Sequence, residues 1–500
     1  MHEIELKFLV PDYKVDALLR QANIKSSETA QLAAHYYDTP DQLLAESGVA
    51  LRIRKEEDEW VQTIKAGGDG MAARLEHNYI LDSEVAEQAI AADNLMPDLS
   101  VYKDTAIAEF LSDFKLKKLS EALVRLYVTD VTRITRLIKK DDSAIEVAYD
   151  TGEVVHGSSS ELRSDIKEIE FELIEGDVGF LFEVAKTWCK RYKLCLSTVT
   201  KAERGSLLLA QKPHSDAVKS DLNQLDIYED MSQSAFLQAA THNCMLQILP
   251  NASAIAAGSN DGNHVHQLRV GIRRLRTLLK FFGDFSEDIN PEWAPILKQT
   301  FSLLGEYRDR EILQIKTQPM LEEQGAPFVD WSAERDSLKV MPIDAVRAND
   351  FQVTLLELIE FSMGRANSSD DSKLAKPKVS KIIDKLFGKI ATASSHFSEL
   401  DIEAQHDVRK RLKSLRYICE FAAPMFKKKK TKQFLKYLEP AQDILGEYND
   451  DIVGFAFYEQ KAQDDANAWF AMGYFSAQQQ HAAKACAESL QQVKNAPKFW

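Results

Sequence analysis

Two short segments in the first half of the chain alternate acidic with apolar side chains. HEIELKFLV places Glu3, Glu5 and Lys7 on one face of a β-strand, and KEIEFELIEG places Glu170 and Glu172 in the same way. Carboxylates grouped like this bind hard divalent cations such as Mg²⁺ or Mn²⁺, and a neighbouring lysine suits an anion. Each segment alone is also typical of a surface strand whose charged face is solvated.

Basic residues recur on other predicted strands at spacings that put them on shared faces. Arg52 and Arg54 are two residues apart in the strand VALRIRK. Lys65 ends the second arm of a predicted hairpin, and Arg133 lies in a strand predicted over 126–139. Guanidinium and ammonium groups of this kind bind phosphate oxygens, so acids and bases together suit a metal-bound polyphosphate.

A third acidic strand makes a closed barrel the simplest arrangement. Glu146 and Asp150 share a face of a strand predicted over 144–150, which we expect to turn at 150–152 into another strand over 153–157. A solvated sheet face would carry Ser, Thr and mixed charges instead. A barrel with a charged, wet interior and an apolar exterior covered by helices explains both faces, and its confined charges require a ligand or counter-ions.

Length and composition indicate an ordinary globular protein of two or three domains. The 500 residues are 45% hydrophobic and 28% charged, and no run of about 18 apolar residues marks a membrane span or a signal peptide, so we expect a cytoplasmic protein. Five unpaired cysteines favour reduced thiols over disulfides or a zinc site. The net charge of -15 argues against a general nucleic-acid binder, although a local basic groove still attracts a polyanion.

The second half of the chain has a different character. A polar, proline-containing stretch predicts a linker near 206–227, and helical spacing of apolar residues dominates beyond it. The clearest predicted helices are 234–249, 266–282, 380–397 and 405–426.

This helical half contains an internal repeat. HQLRVGIRRLR aligns with HDVRKRLKSLR, and LLGEYRD aligns downstream with ILGEYND. Spacings of three, seven and ten residues form a single stripe on a helix, so each copy carries a histidine and three cations along one face. The first stripe is His266, Arg269, Arg273 and Arg276, and the second is His406, Arg409, Lys413 and Arg416.

The stripes have three interpretations. A solvated basic face is the ordinary one, but duplication at the same spacing favours a groove that binds a long polyanion. The histidines are poor candidates for metal ligands because the surrounding cations would repel a metal ion.

The first half resembles the CYTH family, the triphosphate tunnel metalloenzymes, in five motifs that occur in order over residues 1–205. They are HEIELK, YYDTP, LRIR, VAYDTGE and EIEFEL. The resemblance implies an eight-stranded antiparallel tunnel that hydrolyses a phosphoanhydride with Mg²⁺ or Mn²⁺. Family members include inorganic triphosphatase, thiamine triphosphatase, RNA 5'-triphosphatase and a class of adenylyl cyclase.

The resemblance also implies roles for individual residues. The implied metal ligands are Glu3, Glu5, Glu170 and Glu172. The acids implied near a second metal and the attacking water are Glu5, Glu146 and Asp150, and Lys201 in STVTKAERG matches a late basic residue of the catalytic set. The implied phosphate-binding residues are Lys7, Arg52, Arg54, Lys65 and Arg133. Arg74, Glu76 and Arg136 lie in less patterned stretches and are weaker candidates.

The second half resembles the CHAD domain over residues 228–500. That resemblance implies a pair of four-helix bundles with a basic cavity that binds inorganic polyphosphate through the two stripes. Asn449 stands where the first copy has Arg308, and Lys413 replaces an arginine, so we expect the second copy to hold phosphate less rigidly.

The sequence therefore predicts a multidomain α and β protein, with a tunnel followed by an all-α domain. The expected activity is hydrolysis of inorganic triphosphate, with polyphosphate as a further partner and no membrane or specific nucleic acid. Two alternatives remain open. One is a nucleotide or thiamine triphosphatase or a cyclase that uses the same tunnel, and the other is a polyphosphate-binding sensor.

Overall fold

The computed structural model divides the chain into two compact units. The first unit comprises Met1–Val218, Leu249–His264 and Val346–Glu360, and the second comprises Lys219–Ile248, Val265–Ala345 and Phe361–Trp500. The structure describes residues 2–22, 24–56, 58–67, 72–157, 159, 161–332, 334, 337–364 and 373–500, without the side chains of residues 2, 3, 22 and 480.

The first unit is built on one antiparallel sheet. Its strands are β1 His2–Leu9, β2 Glu28–Asp38, β3 Val49–Glu56, β4 Glu59–Ala66, β5 Ala73–Leu81, β6 Val124–Lys140, β7 Ser143–His156, β8 Arg163–Glu175 and β9 Cys195–Leu196. They are ordered β5-β4-β3-β2-β6-β7-β8-β1-β9. Strand β1 also pairs with β5, which closes eight strands into the predicted barrel.

One local prediction is wrong, because 150–152 is not a turn. Strand β7 runs without a break through Asp150, Thr151 and Gly152 and pairs with β6 and β8 along its length. A Cβ atom on Gly152 would lie 2.0 Å from the carbonyl oxygen of Asp130 on β6. The glycine therefore permits a close approach between two strand backbones.

Apolar residues on the outward faces of the strands pack against helices, as the barrel interpretation requires. The helices of this unit are α1 Val15–Ala22, α2 Leu43–Glu46, α3 Ser83–Ala91, α4 Ala108–Leu111, α5 Leu116–Ala122, α6 Val178–Tyr192 and α7 Lys201–Leu209. Leu51, Ile53 and Trp60 share one core with Leu99 and Tyr102 from the segment that carries α3 to α5.

Helix α7 packs against the barrel wall where it meets Tyr127 on β6. Its N-cap is Thr200, whose hydroxyl accepts a hydrogen bond from the backbone N–H of Glu203. A Cβ on Gly205 would lie 2.2 Å from the Tyr127 ring, and the Tyr127 hydroxyl donates to the carbonyl of Ala202 at 2.9 Å. These contacts fix the start of α7, and therefore Lys201, at the barrel interior.

Helices dominate the rest of the chain. They are α8 Gln233–Ala256, α9 Gly262–Phe282, α10 Trp293–Ile312, α11 Gln318–Glu323, α12 Pro342–Arg347, α13 Asn349–Met363, α14 Ala375–Ser394, α15 Ile402–Ala422, α16 Lys428–Lys461 and α17 Ala468–Lys494. The four helices predicted most clearly correspond to α8, α9, α14 and α15.

The internal repeat occupies corresponding helices. The first stripe lies on α9 and its downstream motif on α10, while the second stripe lies on α15 and its motif on α16. Among the described residues, no helix is both long enough and apolar enough to cross a membrane.

Candidate functional site

A cavity of about 300 Å³ in the first unit brings most of the predicted site residues together. The predicted residues on its wall are Glu5, Lys7, Arg52, Arg54, Lys65, Arg74, Glu76, Arg133, Glu146, Glu170, Glu172 and Lys201. Glu5, Glu146, Glu170 and Glu172 project from β1, β7 and β8, and Arg52, Arg54 and Lys65 from β3 and β4. These two sets of strands form separate arcs of the barrel, so the four acids and the three bases face the same space from different sides.

Three acids form a row across adjacent strands. Glu172 on β8 pairs directly with Glu5 on β1 and with Glu146 on β7. Like charges directly opposite each other destabilise a sheet unless a counter-charge lies between them. This oxygen-rich donor set fits a hard divalent cation. Glu3 lies at the start of β1, and its side chain is outside the described residues.

A second group of acids lies deeper and surrounds an ammonium. The Lys201 ammonium is 2.7 Å from carboxylate oxygens of Asp150, Glu168 and Glu170. These three carboxylates have oxygens within 4.8 Å of one another. Asp150 and Glu168 are fully buried and absent from the cavity wall. The structure therefore places Asp150 behind the wall, where it contacts cations.

Two further cations cross-link the same acids. Arg133 donates to Asp150 through Nε at 2.8 Å and Nη2 at 2.7 Å, and also contacts Glu170. The Lys7 ammonium lies 2.9 Å from Glu170 and 3.5 Å from Glu168. The network thus joins four strands to the start of α7.

The contacts within the network keep Glu170 and Lys201 charged at neutral pH. Burial raises the pKa of Glu170, but the charges of Lys201, Lys7 and Arg133 outweigh it and hold that pKa well below its ordinary value. Burial lowers the pKa of Lys201, and the surrounding carboxylates raise it well above the ordinary lysine value. A charged, fixed interior needs little rearrangement when a phosphate ligand enters.

Two of the remaining predicted bases, Arg54 and Lys65, contact acids that also line the cavity. The Arg54 guanidinium is bonded to Glu56, and the Lys65 ammonium lies 2.8 Å from Glu76. Arg136, a weaker candidate, instead donates to the carbonyl of Gln21 and does not line the cavity.

Sequence reasoning missed Tyr36, although it belongs to the YYDTP motif. It lines the cavity, pairs across strands with Arg52, and stacks on Tyr127 with ring centroids 4.9 Å apart. Burial raises the pKa of the phenol, but the charge and hydrogen bond of Arg52 and the charge of Lys201 lower it below its ordinary value. The sequence did contain a signal for Tyr36. It shares a face of β2 with Ala34, and these two residues pair with Arg52 and Arg54 on β3.

Glu168 was also unassigned, although KEIEFEL places it on the same strand face as Glu170 and Glu172. Glu168 lies at the buried end of this face of β8, where it contacts Lys201 and Lys7.

In the second unit the two basic stripes converge. Burial, together with the charges of Arg409 and of Arg273 on α9, lowers the pKa of Lys413 on α15 to about 7. Burial and the charge of Arg273 likewise lower the pKa of Arg409. Cations from the two copies therefore lie close enough to repel one another, which favours an anionic ligand between them.

The stripe ends differ. His266 is exposed, whereas His406 makes a hydrogen bond from Nδ1 to the Asn449 side-chain oxygen at 2.9 Å. Arg276 and Arg416 are the last residues of the stripes on α9 and α15.

Comparisons with known proteins agree with the family resemblance of each half of the chain. The sequence model of the CYTH domain matches residues 1–206, and that of the CHAD domain matches residues 239–459. An inorganic triphosphatase from Haemophilus influenzae is 30% identical over 256 residues, which is 50% of this chain and 66% of that protein. The chain thus spans just under two thirds of the length of this relative.

Two solved structures are also similar. The CHAD domain from the plant Ricinus communis is 23% identical, with a TM-score of 0.46 over 57% of this chain and 99% of that one. A putative adenylate cyclase from Bacillus halodurans is 21% identical, with a TM-score of 0.28 over 38% of this chain and 89% of that one.

The buried network predicts a pH-dependent loss of stability in Glu170→Gln. Removing one charge from among three buried cations lowers the free energy of unfolding at pH 7 by about 3 kcal/mol. Because the folded pKa of Glu170 is lowered, its contribution is complete above the ordinary glutamate pKa of about 4.3 and is lost as pH falls through the folded value. Urea unfolding of variant and wild type therefore converges on acidification.

Glu153→Gln is the matched control, because Glu153 pairs with the exposed Arg163 at 3.1 Å. It changes stability by less than about 0.5 kcal/mol. Equal losses in the two variants would contradict the network's role.

Proposed function

The chain carries a CYTH domain at residues 1–206 followed by a CHAD domain at residues 239–459, and from this premise we propose that it hydrolyses inorganic triphosphate to diphosphate and phosphate with a divalent metal ion. The observation that carries the proposal is the single cavity where the Glu5, Glu172 and Glu146 row faces the basic residues of β3 and β4. The relative named an inorganic triphosphatase supports the same substrate class.

The charges of the cavity suit a compact chain of phosphates. A divalent cation in the acid row would neutralise phosphate oxygens and polarise the phosphorus under attack. Arg52, Arg54 and Lys65 would hold the remaining oxygens by charge-assisted hydrogen bonds. Mg²⁺ and Mn²⁺ both suit these ligands, and Mg²⁺ is our first choice.

The residues of the chain would act mainly by positioning. Glu5 and Glu146, which line the cavity, would orient an attacking water and accept its proton, while Lys7 and Arg133 would stabilise negative charge on the transferred phosphoryl group. We assign Asp150 a positioning role, since its contacts with Arg133 and Lys201 lie behind the wall. Lys201 would fix Glu170 at the cavity surface.

We propose a second function for the helical half, the binding of inorganic polyphosphate. The convergence of Arg273 with Arg409 and Lys413 supports it, because clustered cations bind a long polyanion and release its counter-ions. A nucleotide or thiamine triphosphatase, a cyclase, and a polyphosphate sensor without hydrolysis are the competing functions.

Phosphate release from tripolyphosphate, ATP and thiamine triphosphate, each with Mg²⁺ or Mn²⁺, tests the activity. We expect the highest kcat/KM with tripolyphosphate, and a fall in kcat on the order of a hundredfold in Glu172→Gln because the central acid of the row is lost. Glu175→Gln, at the exposed end of the same strand, should retain wild-type kinetics. A better organic triphosphate substrate, or no turnover, would contradict the proposal.

Tyr36→Phe tests whether the phenol hydroxyl contacts substrate. We expect kcat/KM to fall roughly tenfold, since one hydrogen bond to a charged phosphate oxygen is lost while the ring remains. Activity that depends on the protonated phenol falls as pH rises through its lowered pKa, so the variant should lose this alkaline limb of the pH–rate profile.

Tyr37→Phe is the matched control for this measurement. Tyr37 points to the opposite face of β2, where its hydroxyl donates to the carbonyl of Leu95. Its loss should lower stability without changing the pH profile, and equal effects of the two variants would show that the Tyr36 hydroxyl has no role at the site.

Lys413→Arg tests the lysine of the second stripe. Because the pKa of Lys413 is about 7, the wild-type chain loses positive charge as pH rises from about 6 to 8, and polyphosphate affinity should fall with it. Arginine stays protonated, so the variant should show a smaller fall. Titration calorimetry in two buffers of different ionisation enthalpy should also detect more proton uptake on binding by the wild type than by the variant; identical uptake in both would exclude Lys413 as a source.

A further inference from the structure

The two copies of the repeat hold their basic stripes by different means. In the first copy three guanidinium groups surround the ring of Phe301 on α10. The carbon centres of Arg269, Arg273 and Arg276 lie 4.7, 5.2 and 5.3 Å from the ring centroid. All three distances are within the range of cation–π attraction.

A neutral ring positions these cations without neutralising them. Among the residues that the structure describes, none of the three guanidiniums has an ion-pair partner within 4.0 Å. Nη1 of Arg269 is buried and has no hydrogen-bond partner there. Burial and the charge of Arg273 lower the pKa of Arg269 to about 10, although the charge of Asp309 opposes this change. A buried donor that has neither a hydrogen-bond partner nor a close ion pair favours an incoming anion.

The close packing of Arg269 depends on a glycine of the downstream motif. A Cβ atom on Gly305 would lie 2.4 Å from Nη1 of Arg269. Gly446 is the equivalent residue of the second copy, and a Cβ there would meet nothing within 4 Å. The same glycine therefore accommodates an arginine in the first copy alone.

The second copy replaces the ring with an amide. Because LLGEYRD aligns with ILGEYND, Phe301 corresponds to Gln442. The Gln442 side-chain oxygen accepts a hydrogen bond from Arg416 at 2.8 Å, and Glu420 accepts another from Arg416 at 2.7 Å. An acid therefore already compensates the last cation of the second stripe.

We propose that Phe301 is a positioning residue that makes the first copy the stronger half of the polyanion site. It holds three arginines together against their mutual repulsion and leaves their charge and N–H groups for phosphate oxygens. The ligand class is a linear phosphate polyanion such as inorganic polyphosphate. This inference rests on the polyphosphate binding proposed above, and assigns its two halves unequal roles.

The test replaces Phe301 with glutamine, the residue that the second copy has at the equivalent position, Gln442. Binding of inorganic polyphosphate of one mean length is measured over a range of salt concentrations in the full chain. Every sample also carries Arg52→Ala and Lys65→Ala, which reduce binding in the barrel. Phe301→Gln should weaken affinity about tenfold and reduce the slope of log K against log salt concentration, because fewer guanidiniums reach phosphate.

Three variants separate positioning from folding. Phe301→Tyr keeps an aromatic face and should restore both affinity and salt slope to near the values for Phe301. Arg276→Ala should weaken binding more than Arg416→Ala, its counterpart in the second copy. Circular dichroism and thermal unfolding identify any variant whose fold has changed, and a general loss of stability would not alter the salt slope selectively.

The inference can be overturned in two distinguishable ways. Unchanged affinity and salt slope in Phe301→Gln, or equal losses in Arg276→Ala and Arg416→Ala, would overturn the role of Phe301 while leaving polyphosphate binding intact. No binding by the chain with Phe301 in place would overturn the proposed polyphosphate function itself, and the inference with it.

Discussion

Compensation of buried charge is the constraint on which the barrel depends. Asp150, Glu168 and Glu170 lie together away from bulk water, where uncompensated carboxylates would be strongly destabilising. Lys201 contacts all three, and Arg133 and Lys7 complete their neutralisation. Arg133 is the cross-strand partner of Asp150, whereas Lys7 comes from the distant strand β1, so the charges are fully balanced only once β1 pairs with β8. The network that stabilises the barrel also fixes the charged wall that faces the proposed substrate.

The two halves of the chain present positive charge to phosphate in different environments. In the barrel, Lys65 and Arg54 are paired with acids of the same wall, so the proposed triphosphate substrate would have to compete with these ion pairs. A bound metal ion would shift that balance by occupying the acid row. On α9 the guanidiniums lie on an aromatic ring, which leaves their charge available. The first environment suits a short, metal-bound ligand, and the second suits a long polyanion that brings its own counter-ions.

Much of this architecture could be predicted because strand and helix periods report the faces of elements. The alternation around Glu5 and Glu172 predicted the charged interior, and the stripe spacing predicted the basic faces of α9 and α15. The burial of individual side chains and their contact partners could not be predicted from these periods. Gly152 looked like a turn because a close approach of two backbones leaves the same local signal. The contacts of Phe301 depend on the packing of two helices, which no local pattern encodes.

The position of Lys201 at the first residue of α7 has a consequence for the order in which the chain is made. Asp150, Glu168 and Glu170 leave the ribosome before Lys201, so for a time the nascent chain contains the acids without their shared counter-ion. A barrel closed at that stage would enclose excess negative charge, which favours an open or hydrated intermediate. We therefore expect the charge balance of the barrel to be complete only after α7, which follows the last long strand, has emerged.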